Sequence, residues 1–168
     1  GYNRKDLPVG FATSTYIRNY WSGGLALSTM MLEQYAVTPN PTFLTDKLLP
    51  IADAVVRFYD QHWKRDAGGK ILFDTAQSLE TWQTATNPLP IIAGLKYTLQ
   101  GLIGLPAEVG TAAQRKAWKK TLADLPALPE KQSGGKTYLL PADSFGKNSN
   151  SENPELYAVF PYRLFGIG

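Results

Sequence analysis

Between Thr42 and Lys64, apolar side chains recur at steps of three and four. Leu48, Ile51, Ala52, Val55, Val56, Tyr59, His62 and Trp63 form one stripe, and Asp53, Arg57, Asp60 and Lys64 fall on the other face. A chain with this period is committed to an amphipathic helix there, because only a 3.6-residue turn gathers those side chains onto one side. Pro50 either kinks this helix or marks its true start. His62 falls on the apolar stripe beside Trp63 and reads as a core or interface histidine. Trp63 reads as core for the same reason.

Three further segments carry the same signature. Ser14 to about Thr38 is helix-like, with Gly23-Gly24 as its weak point. The pair either sits inside the helix or breaks it, leaving Trp21 in a loop that leads in. Asn87-Pro88 opens another helix, with Asn as cap and Pro at the first helical position, and Ile91, Ile92, Leu95, Leu99 and Leu102 as its stripe. Gly104 and Pro106 end it. Thr111-Ala-Ala-Gln114 is a capping box for a fourth helix that buries Ala113, Ala117, Trp118, Thr121 and Leu125. Lys70–Asp74 and Thr137–Leu140 read as short strands, and Leu156–Phe160 as a short apolar piece that can form a fifth, short helix. The expectation is a mainly α fold, with helices near 14–37, 46–64, 88–103 and 111–124 paired antiparallel and short strands in the connecting loops.

The remaining properties exclude more than they assign. At 168 residues, 43% hydrophobic, the chain can build one domain with a core. Its net charge is only +3, and the basic residues are scattered along helix faces rather than gathered with aromatics, which speaks against nucleic-acid binding. It has no cysteine and one histidine, so disulfides and a catalytic zinc site of the usual kind are not expected; neither is any other metal or cofactor. No apolar run approaches the ~20 residues of a membrane span, and no signal peptide is visible. Gly1 is not an initiator methionine, so the N-terminus is expected to be processed, cloned or cut.

Two polar stretches interrupt the helical pattern. Asp74-Thr-Ala-Gln-Ser-Leu-Glu-Thr-Trp-Gln-Thr-Ala-Thr-Asn87 holds Glu80 two residues from Trp82 among hydroxyls and amides. Asn148-Ser-Asn-Ser-Glu-Asn-Pro-Glu-Leu-Tyr157 is of similar character. An acid that can protonate a glycosidic oxygen, a ring for a sugar face, and amides for sugar hydroxyls are the parts of a carbohydrate site. The plainer reading is two polar loops with capping residues. Glu152 and Glu155 are the alternative carboxylates, and Glu155 also suits the first turn of a helix after Pro154. Trp21, Trp82, Tyr157 and Tyr162 are candidate sugar platforms.

Asn19-Tyr20-Trp21 before a helix, Ser78-Leu-Glu80 after a short strand, and the run to Phe160-Pro161, in that order, resemble the catalytic (α/α)6 barrel of glycoside hydrolase family 95, the alpha-L-fucosidase type, and its uncharacterised relatives. The resemblance extends over residues 14–168. In that family an Asn-Tyr-Trp element lines the sugar pocket and a Ser-Pro-Glu element supplies the general acid; Leu79 stands here where the family has proline. The resemblance implies hydrolysis of a glycosidic bond with inversion. Carried over residue by residue, Glu80 would be the acid and Asn19 and Trp21 would be pocket residues; the two polar stretches themselves add Trp82, Asn150, Glu152, Asn153 and Tyr157 as substrate-binding candidates. It implies an oligosaccharide or polysaccharide substrate, no cofactor and a periplasmic or extracellular location. A toroid of this kind has twelve helices and a second carboxyl later in the barrel, for which no matching segment is found. The chain is therefore expected to be part of a larger catalytic domain, with the rest of the barrel as its partner. The alternatives are a non-catalytic helical module that binds glycans or a protein, and a polysaccharide lyase on a similar toroid. Lyases usually want Tyr/His or Arg-rich sites for uronates, and a lone His62 on a core face argues against one.

Overall fold

The computed structural model describes residues 17–146, 148 and 151–166. The expectations for 1–13, for the first residues of the 14–37 segment and for Asn150 lie outside them. Four long α-helices dominate the described residues: α1 (Gly23–Val37), α3 (Leu49–His62), α4 (Leu89–Gly104) and α5 (Ala112–Asp124). A one-turn helix α2 (Pro41–Phe43) and a π turn (Leu44–Leu48) run directly into α3. The chain is thus helical from Pro41, and Pro50 follows directly on the π turn, whose wider winding takes in the residue that has no N–H to give; Leu49 N bonds back to the Leu44 carbonyl.

Of the two readings of Gly23-Gly24, the structure takes the loop: α1 begins at Gly23, and Trp21 precedes it. Gly24 has a second use, because a Cβ there would meet the Val55 side chain at 3.0 Å. Tyr59 donates to the Trp21 carbonyl at 2.6 Å. These contacts pair α1 with α3 antiparallel. Helices α4 and α5 form a second antiparallel hairpin, joined by residues 105–111. Arg115 crosses that joint and donates to the carbonyl of Ile103 at the carboxyl end of α4 (2.8 Å) and to that of Val109 within the joint (3.1 Å). The hairpins meet along α1 and α4. Gly94 lies against Leu25 and Tyr162, and Gly101 against Leu32. Both contacts advance in the same direction along the chain, so α1 and α4 run parallel with their backbones close together. All five predicted stripe residues of α4 are buried.

Several expectations fail locally. Asp53 belongs to no solvated face: it is buried, accepts from Trp118 Nε1 at 2.7 Å and pairs with Arg57 at 3.2 Å. Ala113 and Ala117 are exposed, because the buried face of α5 is the one carrying Trp118 and Thr121, continued by Leu125, and both alanines lie round the helix from it. Lys70–Asp74 is no strand. Ile71 makes a single bridge to Arg65 and donates its amide to the Asp124 carbonyl at 2.8 Å, so a helix end takes the place of a neighbouring strand. Asn87 is not the cap of α4; that position is Pro88. His62 is exposed rather than core, and its ring stacks on Phe58 with centroids 4.9 Å apart. Tyr162 is 1% exposed and packs into the core, so it is no sugar platform.

The strand expected near Thr137 exists as β2 (Lys136–Leu139), paired antiparallel with β1 (Glu130–Ser133). Gly134 and Gly135, with φ of +57° and +72°, make the two-residue turn. The Leu156 segment is a short 3-10 helix, Pro154–Ala158.

The capping box at Thr111 forms with both of its hydrogen bonds. The residue before it, Gly110, has φ of +78°, and a Cβ there would come within 2.6 Å of the Trp118 ring. Gly110→Ala is therefore expected to destabilise the chain by about 2–4 kcal/mol, adding left-handed strain to overpacking against a ring that cannot move aside. Chemical denaturation measures it; a change under about 0.5 kcal/mol would show that the ring is not held there.

Candidate functional site

The carboxyl ends of α3 and α5 and the amino ends of α1 and α4 share one end of the bundle, and both long connections emerge there. Arg65 ties that end together by pairing with Asp60 and with Asp124. The Lys120 ammonium, followed by other groups including Arg65, holds the Asp124 carboxyl below the usual range.

The first connection folds back on itself. Asp66 Oδ1 accepts from the amides of Gly68 and Lys70, both at 2.8 Å, closing a tight turn. Ala76 and Ala85 then bridge, and Ser78 N donates to the Trp82 carbonyl at 3.0 Å, which leaves Glu80 at the tip of a small closed loop. The second connection runs alongside. Thr86 bridges to Ser144, Gly146 N reaches the Gln83 carbonyl at 2.9 Å, and Ser78 Oγ donates to the Pro141 carbonyl. Asn87, at φ of +50°, locks the base: its Oδ1 accepts from Phe73 N at 3.0 Å and its Nδ2 donates to Asp143 at 2.8 Å.

On this platform the sequence candidates converge. Asn19 N donates to Gln77 Oε1 at 2.8 Å, and Gln77 Nε2 donates to the Glu80 carbonyl at 2.9 Å. Gln83 donates to the same carbonyl at 3.3 Å. The backbone of Glu80 is thus held from behind, while the residue itself is exposed. Thr81 donates from N (3.3 Å) and from Oγ1 (2.6 Å) to Glu152 Oε2, and Trp82 Nε1 donates to the Glu152 carbonyl at 3.2 Å. Glu152 therefore fastens the loop next to Glu80. Trp82 packs edge-on against Phe145, with centroids 4.7 Å apart. Asn153 precedes the 3-10 helix, and its carbonyl accepts from Leu156 N at 3.1 Å. Glu155 lies in that helix's first turn, as an acid there should.

Tyr20 sits at the centre. Burial first, then its hydrogen-bonded neighbour Tyr157, then the carboxylates of Glu152 and Glu80, push its phenol up to about 12. Burial likewise raises Tyr59 and Tyr162. The consequence for stability has a definite sign. A phenol whose folded value exceeds its ordinary one binds its proton more tightly when folded, so its contribution is intact below pH ~10 and is lost as pH rises above that. The thermal midpoint should fall between pH ~10 and ~12, and less steeply in Tyr20→Phe. A midpoint unchanged over that range would show that these phenols are not buried against one another.

Two cavities open at this end. One, of about 500 Å³, is bounded by Asn19, Trp21, His62, Trp63, Lys64 and Asp74 among others. The other, of about 170 Å³, lies between Arg18, Asn19, Gln77, Gln83 and Thr84. An apolar cavity of about 510 Å³ lies at the far end of α1 and α4; Tyr162 is the one sequence candidate on its wall.

Sequence reasoning missed Gln77, Thr81 and Phe145. Gln77 and Thr81 are two of several amides and hydroxyls in one polar stretch. Burial alone does not single them out, since Ser78 and Asn87 in the same stretch are buried as well; their bonds to Asn19 and to Glu152 do. Among the described residues no three His, Asp or Glu side chains gather to hold a metal ion, and no helix is long and apolar enough to cross a membrane. Compared with protein-family models and with curated proteins, the chain matches none.

Proposed function

We propose that this chain is a segment of an inverting glycoside hydrolase built on an (α/α) toroid, with Glu80 as its general acid. The observation that carries the reading is the convergence of Glu80, Trp82, Glu152, Tyr157 and Asn19-Tyr20-Trp21 at one end of two helical hairpins whose first helices run parallel. Direct hydrogen bonds join their loops across long stretches of sequence: Thr81 to Glu152, 71 positions apart, and Asn19 to Gln77, 58 apart.

In the reaction, Glu80 in its acid form gives its proton to the glycosidic oxygen. The bond from the anomeric carbon to that oxygen breaks, and its electron pair goes to the leaving alcohol. Water attacks the same carbon from the opposite face and loses a proton to a carboxylate supplied by the rest of the barrel. Inverting enzymes hold the two carboxyls ~6.5–9.5 Å apart to admit that water. Asn19, Trp21, Trp82, Asn153 and Tyr157 contact the glycan, as would Asn150. Glu152 holds the acid's loop through Thr81. An enzyme of this class works in the periplasm or outside the cell.

The remainder of the barrel is the partner. Helix α1 is apolar on more than its buried side: Leu27, Met30 and Val37 are 43%, 61% and 84% exposed along one face. The test is hydrolysis of natural glycosides by the intact enzyme, with the anomer of the first-formed product read by NMR and Glu80→Gln as the comparison. Retention of configuration, or full activity in the variant, would overturn the proposal.

A further inference from the structure

We propose that the apolar cavity at the far end of α1 and α4 binds an aromatic carboxylate, its rings among Tyr35, Tyr97 and Tyr162 and its carboxylate on Arg163. The loops around Glu80 lie at the other end of both helices, and this site does not depend on the glycosidase reading.

The cavity follows from the packing of α1 against α4. Leu32 seats on Gly101, and Gly101 and Gly104 leave the last turn of α4 without side chains beside it. Leu105 and Pro106 bound the space where the chain leaves α4, and Leu164 bounds it from beyond the 3-10 helix. At about 510 Å³ it is in the range of ordinary small-ligand sites. Leu32 and Leu105 are buried, and Tyr35 on α1, Tyr97 on α4 and Tyr162 add three rings to the walls. The Tyr97 and Tyr162 centroids are 6.4 Å apart. Rings placed in this way take a further flat ring edge-on or offset.

The charge on the wall is positive. Among the described residues, Arg163 is the one charged side chain that bounds the cavity. Its backbone stands at φ of +46°, a region costly for a residue with a side chain, and an ion pair of 2.9 Å ties it to Glu33 of α1. Glu33 itself does not bound the cavity. Tyr97 hydrogen-bonds to the same carboxylate; burial first, and then that negative charge, raise its phenol. Glu33 takes one nitrogen of Arg163, whose side chain stays 63% exposed, and leaves the rest of the planar fork for a ligand carboxylate. The carbonyls at the carboxyl end of α4 would repel an anion, but Arg115 covers them, donating to Ile103 at 2.8 Å and to Leu105 at 3.4 Å. A flat apolar body with one negative head therefore matches this cavity better than a neutral or cationic molecule of the same shape.

The experiment is an NMR titration of the whole 168-residue chain with 2-naphthoate, followed through the backbone amide signals of Gly101, Gly104 and Leu164. The comparisons are 2-naphthylmethanol and 2-naphthylmethylammonium, which keep the rings and change the charge. Naphthoate should shift all three signals saturably, with a Kd of ~1 mM or below, and bind at least about fivefold more tightly than either comparison. Arg163→Gln should remove that preference, and Arg163→Lys, which keeps the charge without the fork, should retain part of it. Ala36→Leu and Gly104→Leu together should fill the space and weaken naphthoate by about tenfold or more. Both positions are helical and exposed, and a Cβ at Gly104 meets nothing within 4 Å, so this double variant should keep the wild-type thermal midpoint. Glu80→Gln should leave naphthoate binding unchanged. No saturable shift at ~10 mM naphthoate would overturn the proposal and leave the groove to a protein neighbour. So would equal binding of the three probes, or naphthoate binding indifferent to Arg163→Gln or to the filled cavity.

Discussion

On the proposed glycosidase reading, Glu80→Gln should lower turnover of natural glycosides by ~10²–10⁴ while leaving their binding largely unchanged. The amide keeps the size and shape of the side chain but has no proton to give. The surrounding structure should tolerate the change, because Glu80 is exposed and its hydrogen bonds run through its backbone carbonyl, to Gln77 and Gln83. An activated substrate, whose leaving group departs without protonation, should be spared in part. This split between leaving groups separates lost acid catalysis from a damaged fold, which would depress both substrates alike. Wild-type turnover of a natural glycoside by the variant would move attention to Glu152, the other carboxylate beside Tyr20.

Trp118→Ala should be the most damaging single change to the fold. The ring is fully buried, and its Nε1 donates to Asp53. Removing a buried tryptophan typically costs about 3–5 kcal/mol, and here it also strips a buried carboxylate of one of its two partners. For a chain of this length that is a fall of roughly 6–20 °C in the thermal midpoint. Trp118→Phe keeps most of the apolar contact and loses only the hydrogen bond, so it should fall between the wild type and Trp118→Ala. A phenylalanine variant as stable as the wild type would mean that the Asp53 bond contributes nothing net.

Helix positions were legible in the sequence because helix formation is governed by short-range rules. The 3.6-residue period set α3 and α4, and the Thr111 capping box marked the start of α5 to the residue. Those signals lie within a turn or two of the residues they describe, so one chain carries them in full. The period also separates a helix's two faces, but it cannot see what a polar residue meets. Asp53 reads as solvated until Trp118, 65 positions away, brings it a donor. His62 reads as buried until the end of α3 leaves it at the mouth of a cavity.

The site divides along the same line. That Glu80 and Trp82 share a polar loop, and that Asn19 and Trp21 precede a helix, was plain from the residues in order. Tertiary structure alone decided that these stretches meet, through Asn19 to Gln77 and through Thr81 and Trp82 to Glu152. It alone decided which amides are structural, since Gln77 and Gln83 are the same residue type six positions apart and only their surroundings differ. Local sequence specifies backbone turns through nearest neighbours. A binding surface depends on which distant turns the packing of α1 against α4 brings to one end, and that packing was set by two glycines whose spacing carries no sign of the partner they admit.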